Sequence, residues 1–364
     1  MLKLINLNFS AYKKIVLLPV CIILIFSILS LYPSSGNFYP YVYKQIKYIL
    51  ISFIVFCIIV SINIKIFYNF AYLCLLFICI CLIAIFPLGK SVFGSSRWLD
   101  FGVIAFQPSE LSKIAVILSV SRFLSNSKPN ILTAFCTILL ISPAVLLIAA
   151  QPDLSTSIII TLISCILIFF AIRIKKRYYI IIGFTLFISI IIIWTKFLKQ
   201  YQKLRIITFL YPNKDPLGSG YNIIQSKIAI GSGGLFGKGF LKNTQQKLKF
   251  LPENHTDFVF TSICEQFGFV TSCLIIAMYL WIVYYGIMVA EKSNVIFNKL
   301  LAIGCTNLIF LHFIINTFMV SGLLPVSGIP LIFISYGGSN LMLGFICIAI
   351  LINIDLSNSK KEYI

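Results

Sequence analysis

The stretch LPENHTDFVF at 251–260 gathers ionisable side chains where an apolar run begins: Glu253, His255 and Asp257 fall within five residues. The whole chain has only ten acidic residues and two histidines. An acid at such a boundary can act as a general base toward a hydroxyl held there. Thr256 or Asp257 can also cap the helix that the apolar run predicts. A cap leaves Glu253 and His255 unexplained, so we favour a catalytic interpretation centred on Asp257.

A second candidate site lies in GSSRWLDFGVIAFQPSELSK, residues 94–113, which runs from a polar loop into a predicted helix. Pro108 suits the first helical position, and Glu110 falls in the first turn. Glu110 and Lys113 stand three residues apart on one helix face, so they can form an ion pair in an apolar setting. A structural pair and a functional pair are equally compatible with this spacing.

Glycines and basic residues characterise a third segment, residues 203–240. Its glycines fit neither a P-loop nor a dinucleotide-binding motif in spacing, and instead suit tight turns or close approach of backbone N–H groups to a ligand. Basic side chains surround them; these are Arg205, Lys214, Lys227, Lys238, Lys242, Lys247 and Lys249. They could bind a substrate anion or simply anionic lipid head groups. No nucleic-acid reader motif accompanies them, so nucleic acid is not an expected partner.

The composition predicts an all-α integral membrane protein. With 60% hydrophobic residues, 11% charged residues and a mean hydropathy of +1.01, the 364-residue chain has more apolar side chains than one soluble core can bury. Stretches of roughly 20 apolar residues, enough to span a bilayer, recur throughout. They predict about ten helices, near residues 15–32, 48–64, 67–87, 108–124, 131–150, 154–172, 178–197, 257–289, 300–321 and 337–354.

Charges in the short loops predict the orientation. Lys and Arg mark cytoplasmic loops, and alternate loops carry Lys65, Arg122, Lys128, the cluster 173–177, Lys292 and Lys299. Both termini are then cytoplasmic, and residues 198–256 form a large outer loop between the seventh and eighth helices of a single membrane domain, 1–364. The first apolar stretch is read as a retained helix. The eleven cysteines all fall in predicted helices, where they are read as packing residues.

The motifs taken together resemble the SEDS family (shape, elongation, division and sporulation) of membrane glycosyltransferases that polymerise the peptidoglycan precursor lipid II. The resemblance spans most of the chain, and two of its segments look more like the RodA branch than the FtsW branch. The resembling segments are RWLDFGVIAFQPSELSK (97–113), QPDLSTS (151–157), DPLGSGYNIIQSKIAIGSGGLFGKGF (215–240), LPENHTDFVF (251–260) and GLLPVSGIPLIFISYGGSN (322–340).

This resemblance implies a reaction on the outer face of the bacterial cytoplasmic membrane. Asp257 matches the family's catalytic base, which activates a sugar hydroxyl to attack a lipid-linked donor and displace undecaprenyl pyrophosphate. Basic residues, or a divalent cation such as Mg or Mn, suit that leaving group. The expected substrate-binding residues are Arg97, Glu110, Lys113, Arg205, Lys227, Gly231, Gly233, Gly234, Glu253 and His255.

The family resemblance also implies a class B penicillin-binding protein as partner, within the elongation machinery that maintains rod shape. Two departures from the family pattern stand out: Ser155 replaces the usual Gly after QPDL, and Gln266 follows Glu265 where two acids are common. Two rival functions stay open, a flippase for the lipid-linked precursor and a non-catalytic scaffold for a penicillin-binding protein. The outward bias of the acids favours an outward-facing enzyme over a flippase.

Overall fold

A bundle of long helices makes up most of the computed structural model, which describes residues 11–32, 39–88, 90–92, 95–100, 105–172, 200–211, 219–242 and 255–361. The helices in these ranges are α1 (Ala11–Leu31), α2 (Tyr39–Ser61), α3 (Ile64–Leu88), α4 (Pro108–Asn126), α5 (Ile131–Ala150), α6 (Leu154–Ala171), α7 (Gln200–Leu210), α8 (Ser219–Ser232), α9 (Val259–Glu291), α10 (Ile296–Val320) and α11 (Gly338–Lys361).

The prediction of a helical, multi-pass membrane protein is confirmed. Seven of the described helices are long and apolar enough to cross a bilayer: α2, α3, α5, α6, α9, α10 and α11. The apolar part of α1, Val16–Leu31, is slightly shorter. The predicted span 178–197 lies outside the described residues, so the count of ten stays a prediction. The predicted outer loop 198–256 contains two helices, α7 and α8, which its sequence did not reveal because neither has a long apolar run.

Helix α4 begins at Pro108, as predicted, but its composition differs from that of the other spans. It buries polar side chains along its length, among them Ser109, Ser112, Ser119 and Ser121. Helices α3, α5, α6, α10 and α11 all contact it. A helix surrounded by protein can carry polar groups that a lipid-facing helix cannot, because neighbouring helices supply their hydrogen-bond partners. This central position explains how Glu110 and Lys113 of α4 can lie inside the bundle.

A short antiparallel sheet precedes α4. Its strands are β1 (Lys90–Val92), β2 (Ser95–Asp100) and β3 (Ala105–Phe106), in the order β1-β2-β3. Lys90 pairs with Trp98, and Leu99 pairs with Phe106. The sheet delivers the chain to the first turn of α4, at the same end of the bundle as the start of α9.

The glycine-rich segment 231–239 packs backbone to backbone against a kink in α9. Gly268 has φ +76 inside α9 and breaks its helical geometry. The amide of Phe269 donates to Gly234 O at 2.9 Å, and that of Lys238 donates to Glu265 O at 2.9 Å. An amide and a carbonyl of α9 at the kink are thus paired by a neighbouring segment. Gly237 (φ +82) approaches so closely that a Cβ there would overlap the Gln266 carbonyl.

We predict that Gly237→Ala destabilises the protein by more than about 1 kcal/mol, because the change combines a positive φ with a steric overlap. Gly231→Ala is the matched control: Gly231 lies within α8, a Cβ there meets nothing within 4 Å, and Ala favours the helix. Thermal unfolding in detergent should show a lowered midpoint for Gly237→Ala alone. Equal midpoints for the two variants would contradict the packing described for this segment.

Candidate functional site

An irregular segment between α10 and α11, residues 321–337, organises the candidate site; we call it the connecting segment. Its centre is fully buried, with Leu331, Ile332 and Ile334 at 0% exposure. Side chains of seven helices donate hydrogen bonds to its carbonyls. The pairs are Val326 with Arg205 (3.3 Å), Ser327 with Ser155, Ile329 with Asn316 (2.8 Å), Pro330 with His312 (3.0 Å), Leu331 with Asn340 (3.3 Å), Ile332 with Tyr279, Ile334 with Ser27 (2.8 Å) and Ser335 with Gln45 (3.4 Å).

These donors answer a physical requirement. Buried non-helical backbone, as at residues 331–335, has no water to bond, and each unsatisfied polar group costs several kcal/mol. The segment also holds Phe333 at φ +72, a conformation that L side chains rarely adopt. Such a strained residue persists only where its surroundings fix it firmly.

The His255-Thr256-Asp257 turn docks directly on the connecting segment. All three of its carbonyls accept hydrogen bonds: His255 O from the amide of Tyr336 at 2.9 Å, Thr256 O from Ser335 Oγ at 2.6 Å, and Asp257 O from Asn316 Nδ2 at 2.9 Å. The turn is therefore held at every residue by its backbone.

Asp257 is half-buried at the edge of this arrangement. Its carboxylate lies beside Gly328, where an added Cβ would stand 3.5 Å from Oδ2. Gly328 has φ +69 and leaves room for the carboxylate. Helix α9 begins at Val259 with Phe258 as its N-cap, so Asp257 lies one residue before the cap position. The helix start therefore does not by itself require an acid at residue 257.

Aromatic rings surround His255. Its ring centroid lies 5.0 Å from that of Tyr41 and 6.0 Å from that of Tyr336. His255 thus packs in an aromatic cluster next to Asp257 rather than extending into solvent.

The predicted Glu110–Lys113 pair is present and buried. Lys113 Nζ lies 2.7 Å from Glu110 Oε1, and the two side chains are 1% and 7% exposed. Lys113 Nζ also lies 3.1 Å from His312 Nε2 on α10. Glu110 Oε2 is buried without a hydrogen-bond partner among the described residues. The pair is linked through His312 to Pro330 in the connecting segment, and hence to the surroundings of Asp257.

Two further predicted binding residues, Arg205 of α7 and Lys227 of α8, are cationic and exposed, and their side chains contact the connecting segment. Arg205 Nη1 donates to Val326 O at 3.3 Å. The Lys227 side chain crosses Gly322 so closely that a Cβ on this glycine would overlap Lys227 Cε. Positive charge therefore lines the segment that also carries the contacts of Asp257.

The remaining predicted binding residues separate into groups. Gly233 lies against the Cys264 carbonyl of α9, whereas a Cβ at Gly231 or Gly234 would meet nothing within 4 Å. Arg97 lies within β2, and its side chain is outside the described part of the structure; Glu253 is wholly outside it. Their proposed roles stay predictions.

Sequence reasoning missed His312 and Asn316. Both are 0% exposed and lie one turn apart on the same face of α10. A signal existed: His312 is one of only two histidines in the chain, and it falls in a predicted membrane span. Its partners could not be inferred, because they come from α4 and from the connecting segment.

A divalent cation, predicted as a possible cofactor, finds no ready-made protein site in the described ranges. No three His, Cys, Asp or Glu side chains there are grouped so that they could hold a metal ion. Arg205 and Lys227 place cationic side chains against the connecting segment. Within the described ranges, the residues thus offer no site that would hold a metal by protein ligands alone.

Fold and site together define a multi-pass membrane protein with a buried ion pair and a carboxylate held at one end of the helix bundle. Residues 6–360 match the FtsW/RodA/SpoVE family of cell cycle proteins. The chain belongs to this family.

Named relatives are similar in sequence to this chain over most of its length. The peptidoglycan glycosyltransferase MrdB of Escherichia coli K12 is 38% identical over 331 residues, covering 90% of this chain and 88% of MrdB. The stage V sporulation protein E of Bacillus subtilis is 36% identical over 268 residues, covering 72% and 71% of the two chains. A probable peptidoglycan glycosyltransferase FtsW of Buchnera aphidicola is 33% identical over 333 residues, covering 89% and 92%.

Solved structures share the fold. A chain of a peptidoglycan synthase complex, described as coordinating polymerization and crosslinking, superposes with a TM-score of 0.83 at 22% identity, covering 96% of this chain and 99% of the other. The rod shape determining protein RodA of Thermus thermophilus superposes with a TM-score of 0.72 at 20% identity and the same coverage. At these identities the likeness concerns the fold.

We predict that Asn316→Leu destabilises the protein by about 1–3 kcal/mol per carbonyl left without its donor, namely those of Asp257 and Ile329. Asn307→Leu is the matched control on the same helix, because Asn307 donates only to Ile303 O, which the helix already bonds. Chemical or thermal unfolding in detergent measures both. A midpoint for Asn316→Leu as high as that of Asn307→Leu would show that the connecting segment does not depend on this amide.

Proposed function

We propose that this protein is a peptidoglycan glycosyltransferase that polymerises lipid II on the outer face of the bacterial cytoplasmic membrane for cell elongation and rod shape. The observation that carries the proposal is the Asp257 turn, whose three carbonyls are bonded while its carboxylate lies at the edge of a cation-lined segment. The names of the relatives MrdB and FtsW support the same activity. The elongation branch is favoured because MrdB matches this chain at 38% identity, whereas the Buchnera FtsW matches it at 33%.

In the proposed reaction, the Asp257 carboxylate accepts the proton of an acceptor sugar hydroxyl. The hydroxyl oxygen then forms a bond to the anomeric carbon of the lipid-linked donor. The bond from that carbon to the pyrophosphate oxygen breaks, and undecaprenyl pyrophosphate leaves with the electron pair. Because negative charge develops on the leaving oxygen, fixed cations near it stabilise the transition state more than the ground state.

Arg205 and Lys227 are the proposed partners of the pyrophosphate. Both are exposed, and both lie on the connecting segment beside the Asp257 turn. The Arg97 guanidinium is a further proposed partner. A divalent cation, Mg²⁺ or Mn²⁺, enters the proposal only as a companion of the pyrophosphate, since Mg²⁺ is commonly held by one or two carboxylates together with substrate phosphates.

Charge distribution supports the proposed orientation. At the end of the bundle remote from Asp257, Arg122 packs its guanidinium on the Tyr68 and Tyr72 rings, 4.7 and 4.6 Å from their centroids. Lys65, Lys128, Lys292 and Lys299 belong to helix ends or loops on that side. By the positive-inside rule, we propose that this end is cytoplasmic, together with both termini, and that Asp257 is outside.

The proposed partner is a class B penicillin-binding protein, whose transpeptidase would crosslink the new glycan. The structural neighbour from a complex that coordinates polymerization and crosslinking supports this pairing.

The central test is polymerisation of labelled lipid II by the purified protein with its penicillin-binding partner. We predict that Asp257→Asn abolishes polymer formation, because the amide keeps the shape of the side chain but cannot accept the proton. Asp355→Asn is the matched control: it makes the same chemical change at the opposite end, where Asp355 accepts a hydrogen bond from Tyr285. We expect this control to retain polymer formation.

Two results would reject the proposal. Polymer formation by folded Asp257→Asn would show that another residue is the base, and Glu110 and Glu265 would be the next candidates. Translocation of lipid II in proteoliposomes, with no polymer from the wild-type complex, would favour a flippase.

We also predict that Arg205→Gln lowers kcat/KM for lipid II roughly tenfold or more, because a charge-assisted hydrogen bond to a phosphate oxygen contributes about 1.5–3 kcal/mol. Lys128→Gln, an exposed basic residue beyond the far end of α4, is the control. Added salt should reduce the difference between wild type and Arg205→Gln. An unchanged kcat/KM for Arg205→Gln would remove this residue from the proposed pyrophosphate site.

A further inference from the structure

His312 joins two parts of the site that come from distant parts of the sequence. Its ring is 0% exposed in the middle of α10. Nε2 lies 3.1 Å from Lys113 Nζ of α4, and Nδ1 lies 3.0 Å from the carbonyl oxygen of Pro330. One imidazole thus contacts both the buried ion pair and the connecting segment.

The partners fix the protonation of this ring. A backbone carbonyl can only accept a hydrogen bond, so Nδ1 of His312 must carry the proton that bonds Pro330 O. A lysine ammonium can only donate, so Nε2 must be the acceptor toward Lys113. With an ammonium at Lys113, His312 is therefore neutral, in its Nδ1–H tautomer.

Lys113 is held by two of its three N–H donors. One donates to Glu110 Oε1 at 2.7 Å and one to His312 Nε2. The described residues supply no partner for the third donor or for Glu110 Oε2. Within the described residues, the ion pair therefore leaves one donor and one acceptor toward a substrate group or a water molecule, in a direction that His312 helps to set.

The other contact of His312 reaches the surroundings of the base. Pro330 follows Ile329, whose carbonyl shares the Asn316 amide with Asp257 O, and Gly328 lies against the Asp257 carboxylate. When the position of Pro330 is fixed, the backbone beside the Asp257 carboxylate is therefore fixed as well. Asn316 and His312 act from adjacent turns of one helix face.

We propose that His312 is a positioning residue that couples the Glu110–Lys113 pair to the Asp257 base through the Pro330 carbonyl. This inference rests on the proposed glycosyltransferase function. The imidazole does not exchange a proton with substrate; it holds the ammonium and the connecting segment in one fixed relation. Small displacements of a reacting group lower the rate strongly, by up to roughly a hundredfold for about 1 Å.

The test compares His312→Leu and His312→Gln. Leucine removes both contacts, whereas glutamine offers one acceptor and one donor. We expect His312→Leu to lower kcat for lipid II polymerisation by roughly tenfold to a hundredfold with KM changed less than about threefold. His312→Gln should recover part of the lost kcat. Thr317→Val is the control, because buried Thr317 bonds only carbonyls of its own helix, Phe313 O and Ile314 O.

Thermal unfolding of each variant separates positioning from folding. If kcat of His312→Leu per folded molecule equals that of wild type, or if His312→Gln recovers none of a lost kcat, His312 has no positioning role. Wild-type kcat in the leucine variant with an unchanged unfolding midpoint would overturn the proposal most clearly.

A spectroscopic readout keeps this inference distinct from the proposed function. Because the chain has two histidines, a ¹⁵N-histidine-labelled sample gives two ring systems, and the His312 variants assign them. We expect the ¹⁵N signals of His312 to be those of a neutral Nδ1–H ring. These signals should shift in Lys113→Met, because Nε2 loses its donor there. A doubly protonated or Nε2–H ring would overturn the geometry even if polymer forms. Absence of polymer from wild type, with the expected ring state, would reject only the enzyme activity.

Discussion

The buried part of the connecting segment, Ile329 and residues 331–335, imposes the dominant constraint on this molecule: irregular backbone enclosed by helices has no water to bond, so its polar groups need protein partners. Its carbonyls receive donors from α1, α2, α6, α7, α9, α10 and α11. In the buried part of the segment, each missing donor would leave a polar group in apolar surroundings at a cost of several kcal/mol. The polar side chains that make these contacts are thereby explained, and so is the convergence of so many helices on one segment.

The candidate site follows from the same constraint. Asn316 bonds Ile329 in the connecting segment and, with the same amide, the carbonyl of Asp257. Ser335 and Tyr336 then bond the two preceding carbonyls. Donors that satisfy the segment thus also hold the carboxylate in place. Rigid support from such neighbours is what catalysis by a positioned base requires.

Long apolar runs allowed the membrane class, most spans and the start of α4 at Pro108 to be predicted, because length and composition decide whether a segment can cross a bilayer. The Glu110–Lys113 contact was predictable from its i,i+3 spacing. Helices α7 and α8 were missed because short segments of mixed polarity give no clear period. The kink at Gly268 and the partners of His312 were also missed, since they depend on segments remote in sequence. Ser155, a departure from the family pattern, gains its partner Ser327 only in the folded bundle.

The most direct measurement is a cryo-EM structure of the protein with lipid II bound at donor and acceptor positions. We predict that the Asp257 carboxylate lies about 2.6–3.2 Å from the attacking sugar hydroxyl, with the connecting segment in the conformation described above. A complex in which that hydroxyl lies beyond hydrogen-bond reach of Asp257 and instead contacts Glu110 or Glu265 would contradict the account.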